Sequence, residues 1–440
     1  MKRDKIHLKA PGNWINDPNG FIYYKGRYHM FYQHFPCAPV WGTMHWGHAV
    51  SEDLIHWEHQ GIALFPTKYE DQNGCFSGSA VECGGRMYLY YTGIRYRQAD
   101  RENIHFCPDD RFEASQLMIS SGDGIHFDNF RGKTVIIPVM GEGAPGDPAH
   151  TRDPKVWRGR DAWYMVLGTT TGDGRGRLLF YRSLNLRDWT YVNCVDGSRG
   201  FGDMWECPDY FETKGGQVLL FSPMRIMRDG KKDASQNICM LADFMEETCE
   251  MRLSDTYQFV DYGMDLYAAQ TTEDAKGRRV MVGWMRMPEA VDGEWSGIFS
   301  IPRVVEVQDG HIYFRVHPNV DNLFCRRISS PAEADSAGYK VSLDMEDKES
   351  IGIGGYWIFR RGCHIFADRS NVFGRHTDYR LQFMTPELRG GCHLDIYVDR
   401  NLIEIFVNHG EYVLSNVVYG LDDGIQTDLA GGCEIYTVEA

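Results

Sequence analysis

Three acidic residues stand at comparable places along the first half of the chain. They are Asp17 in "WINDPNG" (14–20), Asp153 in "RDP" (152–154) and Glu206 in "EC" (206–207). Two carboxyl groups facing each other across a pocket can cleave a glycosidic bond. One protonates the leaving oxygen, and the other attacks the anomeric carbon or activates water. The chemistry needs surroundings that keep one group protonated and the other ionised. A third carboxylate can hold sugar hydroxyls. Flat apolar rings suit sugar faces, and Trp14, Trp41, Trp46, Phe76 and Trp284 are candidates, with burial in the core as the alternative for each. The other use of clustered carboxylates is to hold a divalent cation through oxygen ligands. No EF-hand-type loop occurs here. The twelve cysteines form no CxxC pair, and Cys363-His364 and Cys392-His393 are adjacent, a poor spacing for one ion. The sequence therefore predicts no metal site and no cofactor.

Elements that repeat must position these residues. The stretches 17–33, 77–93, 152–169, 206–223 and 265–285 each run from a small or acidic turn through a short strand, a tight turn (YKGR, CGGR, RGRD, TKGG, AKGR) and an aromatic or β-branched strand. That is a hairpin pattern. A second element, "SEDLIHW" (51–57), "SGDGIHF" (121–127) and "SLNLRDW" (183–189), recurs between some of them. Five such units without a long amphipathic helix predict a five-bladed β-propeller, whose closed ring leaves few free sheet edges. An irregular β-sandwich is the alternative. In a propeller, Asp17, Asp153 and Glu206 would occupy one position of three repeats and converge on one end of the central channel.

From about residue 315 the pattern changes. A polar stretch broken by Pro, Ser, Asp and Gly reads as a linker. In "CHLDIYVDRNLIEIFVNHGEYVLS" (392–415), Leu394, Ile396 and Val398, then Ile403, Ile405 and Val407, alternate with polar residues about a turn at Asp399-Arg400-Asn401. Half-buried antiparallel strands have this pattern. The expected organisation of this all-β chain is a propeller at 1–317, a linker at 318–335 and a β-sandwich at 336–440. A length of 440 residues suits two cores. The formal charge of −15 argues against nucleic acid or an anionic membrane as partner. The start "MKRDKIHLKAPG" has no apolar signal core, and no run of 18 apolar residues occurs. With many unpaired thiols, these features predict a cytoplasmic protein.

The ordered set "WINDPNG", "WGHAVSEDLIHW" (46–57), "FSGSA" (76–80), "RDP", "EC", "IPR" (301–303) and "LDIYVDRNLIEIFVNHG" (394–410) resembles glycoside hydrolase family 32, the invertases and fructan hydrolases, over nearly the whole chain. The resemblance implies a retaining mechanism on β-D-fructofuranosides, with Asp17 as nucleophile, Glu206 as general acid/base and Asp153 stabilising the transition state through fructose hydroxyls. It implies that Asn16, Gln33, Trp41, Phe76, Ser77 and Arg152 line the fructosyl pocket, with Trp14 and Trp284 beside them. Arg152 is expected to keep Asp153 ionised by proximity. Departures from the family pattern fall at Ile15, at "DLY" (265–267) and at "SIPR" (300–303), and they bear on the substrate rather than the reaction. The segment 94–112 reads as an inserted loop that either shapes the leaving-group side or is simply solvated. The expected substrate is sucrose or a short fructo-oligosaccharide. Sucrose-6-phosphate is the variant, for which Arg95, Arg97 and Arg101 are the candidate phosphate cluster. Fructosyl transfer and a non-catalytic sugar-binding protein are the remaining alternatives. A homodimer through the sandwich is a possible assembly.

Overall fold

The computed structural model describes residues 6–438 apart from 10, 199, 229, 230, 233–235, 335–337, 375, 377 and 378. Five antiparallel sheets, I to V, follow one another along the chain. Their first strands are Asn13–Tyr24, Cys75–Cys83, Arg152–Arg158, Phe201–Thr213 and Leu266–Glu273, and each pairs with the strand that follows it. Each first strand touches the first strand of the next sheet, and that of sheet V touches that of sheet I, which closes a ring. This is the β-propeller expected from the repeats, one sheet to a blade. Closure is completed by Trp295–Ser296, which pair in parallel with Asn13 and Trp14.

The hairpins form where the turn residues demand them. Lys25 and Gly26 (φ +49° and +85°) and Gly84 and Gly85 (φ +59° and +77°) put two left-handed residues between paired strands. That geometry matches the strand twist. The second recurring element also repeats its hydrogen bonds. Leu54, Gly124 and Leu186 each donate their amide N–H to the hydroxyl of Ser51, Ser121 and Ser183. Asp53, Asp123 and Asn185 cap the next two amides.

Within the expected linker the chain forms a short helix, Pro318–Asp321, and a strand, Arg326–Ile328, that pairs with the final strand, Glu434–Thr437. The expected boundary at 335 and 336 lies outside the described residues. Two sheets then pack face to face, one of six strands and one of five. Val341, Leu343, Ile351, Ile358, Ile396, Ile405 and Leu414 fill the space between them. The six-stranded sheet is buried on its other face as well. Tyr397, Leu402, Phe406, Val413 and Val417 pack against Ile301, Val305, Ile312 and Phe314 of the propeller. The half-buried strands expected at 402–407 are therefore buried throughout.

Charges are buried in this seam. Glu404, fully buried, lies 2.7 Å from Arg303 Nη2 and 2.9 Å from His7 Nε2. Arg303 also meets Asp261 at 2.8 Å, and His7 Nδ1 meets Asp399 at 2.8 Å. Burial pulls the His7 imidazole down, but its two carboxylate partners raise it to about 9. Glu404→Gln leaves Arg303 and His7 with less counter-charge in a buried seam. Such losses cost about 3–5 kcal/mol. The expected result is a clear fall in melting temperature with activity per folded molecule retained.

Candidate active site

The first strand of every propeller sheet carries one extra residue at the same height. Pairing jumps between Ile15 and Pro18, Cys75 and Gly78, Arg152 and Lys155, Glu206 and Asp209, and Tyr267 and Gln270, in each case three residues against two. A bulge of this kind bends the strand and re-aims its side chains. Asp153, Cys207 and Ala268, the first bulge residues of sheets III to V, have φ of +64°, +47° and +51°. Backbone strain of about 1–3 kcal/mol at each is held by the closed ring. Counted from the bulge, the three carboxylates do not share one position. Glu206 is the last paired residue, Asp153 the first bulge residue and Asp17 the second. The single register expected from sequence is corrected to a stagger, the three carboxylates taking successive positions about a bulge common to the sheets.

The bulges open on a cavity of about 620 Å³ lined by Asp17, Asp153 and Glu206. Both oxygens of Asp17 accept hydrogen bonds, Oδ1 from Asn16 Nδ2 at 3.0 Å and Oδ2 from Ser77 Oγ at 2.5 Å. Cys207 Sγ lies 3.5 Å from Asp17 Oδ2 and 3.6 Å from Asp153 Oδ2, while the Cys207 amide donates to Asp153 Oδ2 at 2.9 Å. Arg152 donates through Nε (3.1 Å) and Nη2 (2.9 Å) to Glu206 Oε1, and Tyr267 donates its hydroxyl to Oε2 at 2.6 Å. Burial pushes the Asp17 carboxyl up against the hydrogen bonds from Ser77 and Asn16. It pushes Asp153 up to about 7. Arg152 pulls Asp153 down, and Glu206 and Asp17 raise it further. Arg152 favours the ionised form of Asp153, as expected, but burial outweighs it. The guanidinium is committed to Glu206.

The sign of the resulting pH effect follows from proton binding. The folded chain holds the Asp153 proton more tightly than the unfolded chain. This group therefore costs stability as pH rises from about 4 to about 7. Asp153→Asn should raise the melting temperature at pH 7.5 and leave it near wild type at pH 4, with turnover reduced. Thermal melts at the two pH values measure this.

Asn16, Gln33, Trp41, Phe76, Ser77, Arg152 and Trp284 also line the cavity. Trp14 does not. It donates to Asn16 Oδ1 at 2.8 Å and meets Trp284 edge-on, so it supports the wall from behind. Trp46 is fully buried core, its indole N–H bound to the Phe76 carbonyl. The buried Trp284 indole N–H has no partner among the described residues. Sequence reasoning assigned no role to Tyr267, His150, Asp203 and Arg225, all of which line the cavity. The signal for Tyr267 was the fifth repeat itself, whose bulge begins there. The inserted loop reaches the site through Tyr96, Phe106, Cys107, Asp110 and Phe112. It docks on the neighbouring loop, with Thr43 Oγ1 2.7 Å from His105 Nδ1. Arg95 and Arg97 are instead bonded to Glu113, and neither they nor Arg101 lines the cavity. None of the twelve cysteines forms a disulfide.

Comparison with known proteins places this geometry. The model of the glycosyl hydrolases family 32 N-terminal domain matches residues 7–318, and that of the family's C-terminal domain matches 305–436. A sucrose-6-phosphate hydrolase of Zymomonas mobilis is 40% identical over 469 residues, covering 96% of this chain and 88% of that protein. A raffinose invertase of Escherichia coli is 34% identical over 458 residues, covering 96% and 91%. Among solved structures, a family 32 β-fructofuranosidase of Bombyx mori superposes with a TM-score of 0.85 at 28% identity, covering 99% of this chain and 94% of that one. A variant of it is known in complex with sucrose. No helix among the described residues is long and apolar enough to cross a membrane.

Proposed function

The chain belongs to glycosyl hydrolase family 32, and from that premise we propose that Asp17, Glu206 and Asp153 cleave terminal β-D-fructofuranosides with retained configuration. The convergence of these three carboxylates from three sheets carries the reading. Asp17 attacks the fructosyl anomeric carbon, its oxygens aimed by Asn16 and Ser77. Glu206 protonates the bridging oxygen as that bond breaks, and a fructosyl ester forms on Asp17. Water then enters, Glu206 takes its proton, and fructose leaves. Arg152 and Tyr267 hold the two Glu206 oxygens, so the group that donates and recovers the proton stays in one place. Asp153 is held by the Cys207 amide and faces the sugar hydroxyls whose hydrogen bonds strengthen in the transition state.

The preferred substrate is an uncharged fructoside such as sucrose, raffinose or a short fructo-oligosaccharide. Among the described residues, the two guanidinium groups lining the cavity, Arg152 and Arg225, are each paired with a carboxylate, Glu206 and Asp203. A phosphorylated leaving group would bring further negative charge to a cavity already rich in carboxylates. Sucrose-6-phosphate is the second reading, supported by what several relatives are named for. Fructose release from sucrose, raffinose, 1-kestose and sucrose-6-phosphate, compared by kcat/KM, tests both. A higher value on an uncharged substrate is expected. A value on sucrose-6-phosphate tenfold above sucrose would reverse the preference, and no release from any of them would overturn the hydrolase.

A further inference from the structure

We propose that His393, Asp395 and His409, on the sandwich and apart from the catalytic cavity, bind one divalent transition-metal ion of the zinc class. His393 and Asp395 stand two residues apart on the strand His393–Val398, so they share a face. His409 follows the strand Leu402–Val407 in a left-handed turn (φ +56°). Two hydrogen bonds bring that turn alongside. Asn408 N donates to the His393 carbonyl at 2.8 Å, and His393 N donates to Asn408 Oδ1 at 3.0 Å. The imidazole rings lie 4.9 Å apart between centroids.

The ligand atoms face one another. His393 Nε2 is 3.5 Å and His409 Nδ1 3.7 Å from the same oxygen, Asp395 Oδ2, and all three atoms lie within 4.8 Å. Ligands of a tetrahedral zinc ion at about 2.0–2.1 Å from the metal are separated by about 3.4 Å. The set needs only a small closure of the exposed His409 turn. The surroundings favour metal binding. Asp344 Oδ1, on the adjacent strand, lies 2.9 Å from His393 Nδ1 and would accept the Nδ1–H when Nε2 ligates an ion. A carboxylate behind a ligating histidine is the usual outer support of such sites. Lys340 Nζ and Ser342 Oγ both bind Asp395 Oδ1 at 3.0 Å, which leaves Oδ2 to the histidines. Two imidazoles and one carboxylate select zinc-like ions over calcium or magnesium.

The ion would tie a strand to a turn at the seam between the domains, because the His409 carbonyl accepts from Arg315 Nη1 of the propeller at 2.9 Å. The test uses the full chain, stripped with chelator and dialysed, titrated with Zn²⁺ by calorimetry. One ion per chain is expected, with affinity weakened at least about tenfold in both His393→Gln and His409→Ala. His409→Ala lies on an exposed turn and keeps the test readable if His393→Gln does not fold. An unchanged metal-free melting temperature certifies each variant. The Co²⁺ form should lack a thiolate charge-transfer band, which excludes cysteine ligands. No binding by the wild-type chain, equal binding by the folded variants, or a thiolate band would overturn the proposal.

Discussion

Asp17→Ala is expected to lower kcat on sucrose by about 10⁴-fold or more while the folded state persists. Without the carboxylate no fructosyl ester forms, and no other described group stands in its place with both oxygens aimed. Asn16 and Ser77 lose their acceptor, but both face a cavity that water enters. The buried Asp17 carboxyl is raised by desolvation and by Glu206, so its removal relieves repulsion among three carboxylates. The melting temperature should therefore hold or rise at neutral pH. Asp17→Asn, with the same shape, should show the same loss. Wild-type turnover in either variant, or a change confined to KM, would return Asp17 to a structural role.

Glu206→Ala should behave differently, and the difference separates the two roles. Loss of a general acid/base costs about 10²- to 10⁴-fold on a substrate whose leaving oxygen needs a proton. A β-D-fructofuranoside whose leaving group departs without a proton should lose much less in the first step. Release from Asp17 then becomes slow, because no base activates water. Quenched reactions should show a fructosyl unit on the peptide containing Asp17, and added azide should restore turnover. If ordinary and activated substrates lose activity equally and azide has no effect, Glu206 is not the proton donor. Glu206→Gln keeps the contacts to Arg152 and Tyr267 and guards against a collapse of the pocket.

The parts of this molecule legible in its sequence are those set by local chemistry. Turn residues such as Lys25-Gly26 and Gly84-Gly85 declare hairpins by themselves, and the Ser-x-Asp loops repeat because one hydrogen-bond pattern recurs. What escaped depends on partners distant in the chain. The stagger of Asp17, Asp153 and Glu206 lies about bulges, which alternation along one strand does not reveal. Glu404 reads as a solvent-facing residue of a half-buried strand, and it is buried because Arg303 and His7 come to it from the propeller side. The mixed charges of the inserted loop do not decide between a solvated loop and one that shapes the leaving-group side. Its Phe106, Cys107 and Phe112 reach the cavity. His393 beside Cys392 looks like a failed metal pair, since His409 joins it only through the fold.

The closure of the ring between Asn13-Trp14 and Trp295-Ser296 has a consequence for the timing of biosynthesis. Asp17 lies three residues beyond the closing pair, and Gly297, next to that pair, packs against the Ile15 carbonyl. Asp17 leaves the ribosome well ahead of the segment that fixes its strand, which emerges about 280 residues later. Until then the strand edge at Asn13-Trp14 stays open and the site stays unassembled. Contacts of such long sequence separation form late. A ribosome-stalled chain ending before residue 295 should therefore be inactive and prone to pair through that edge.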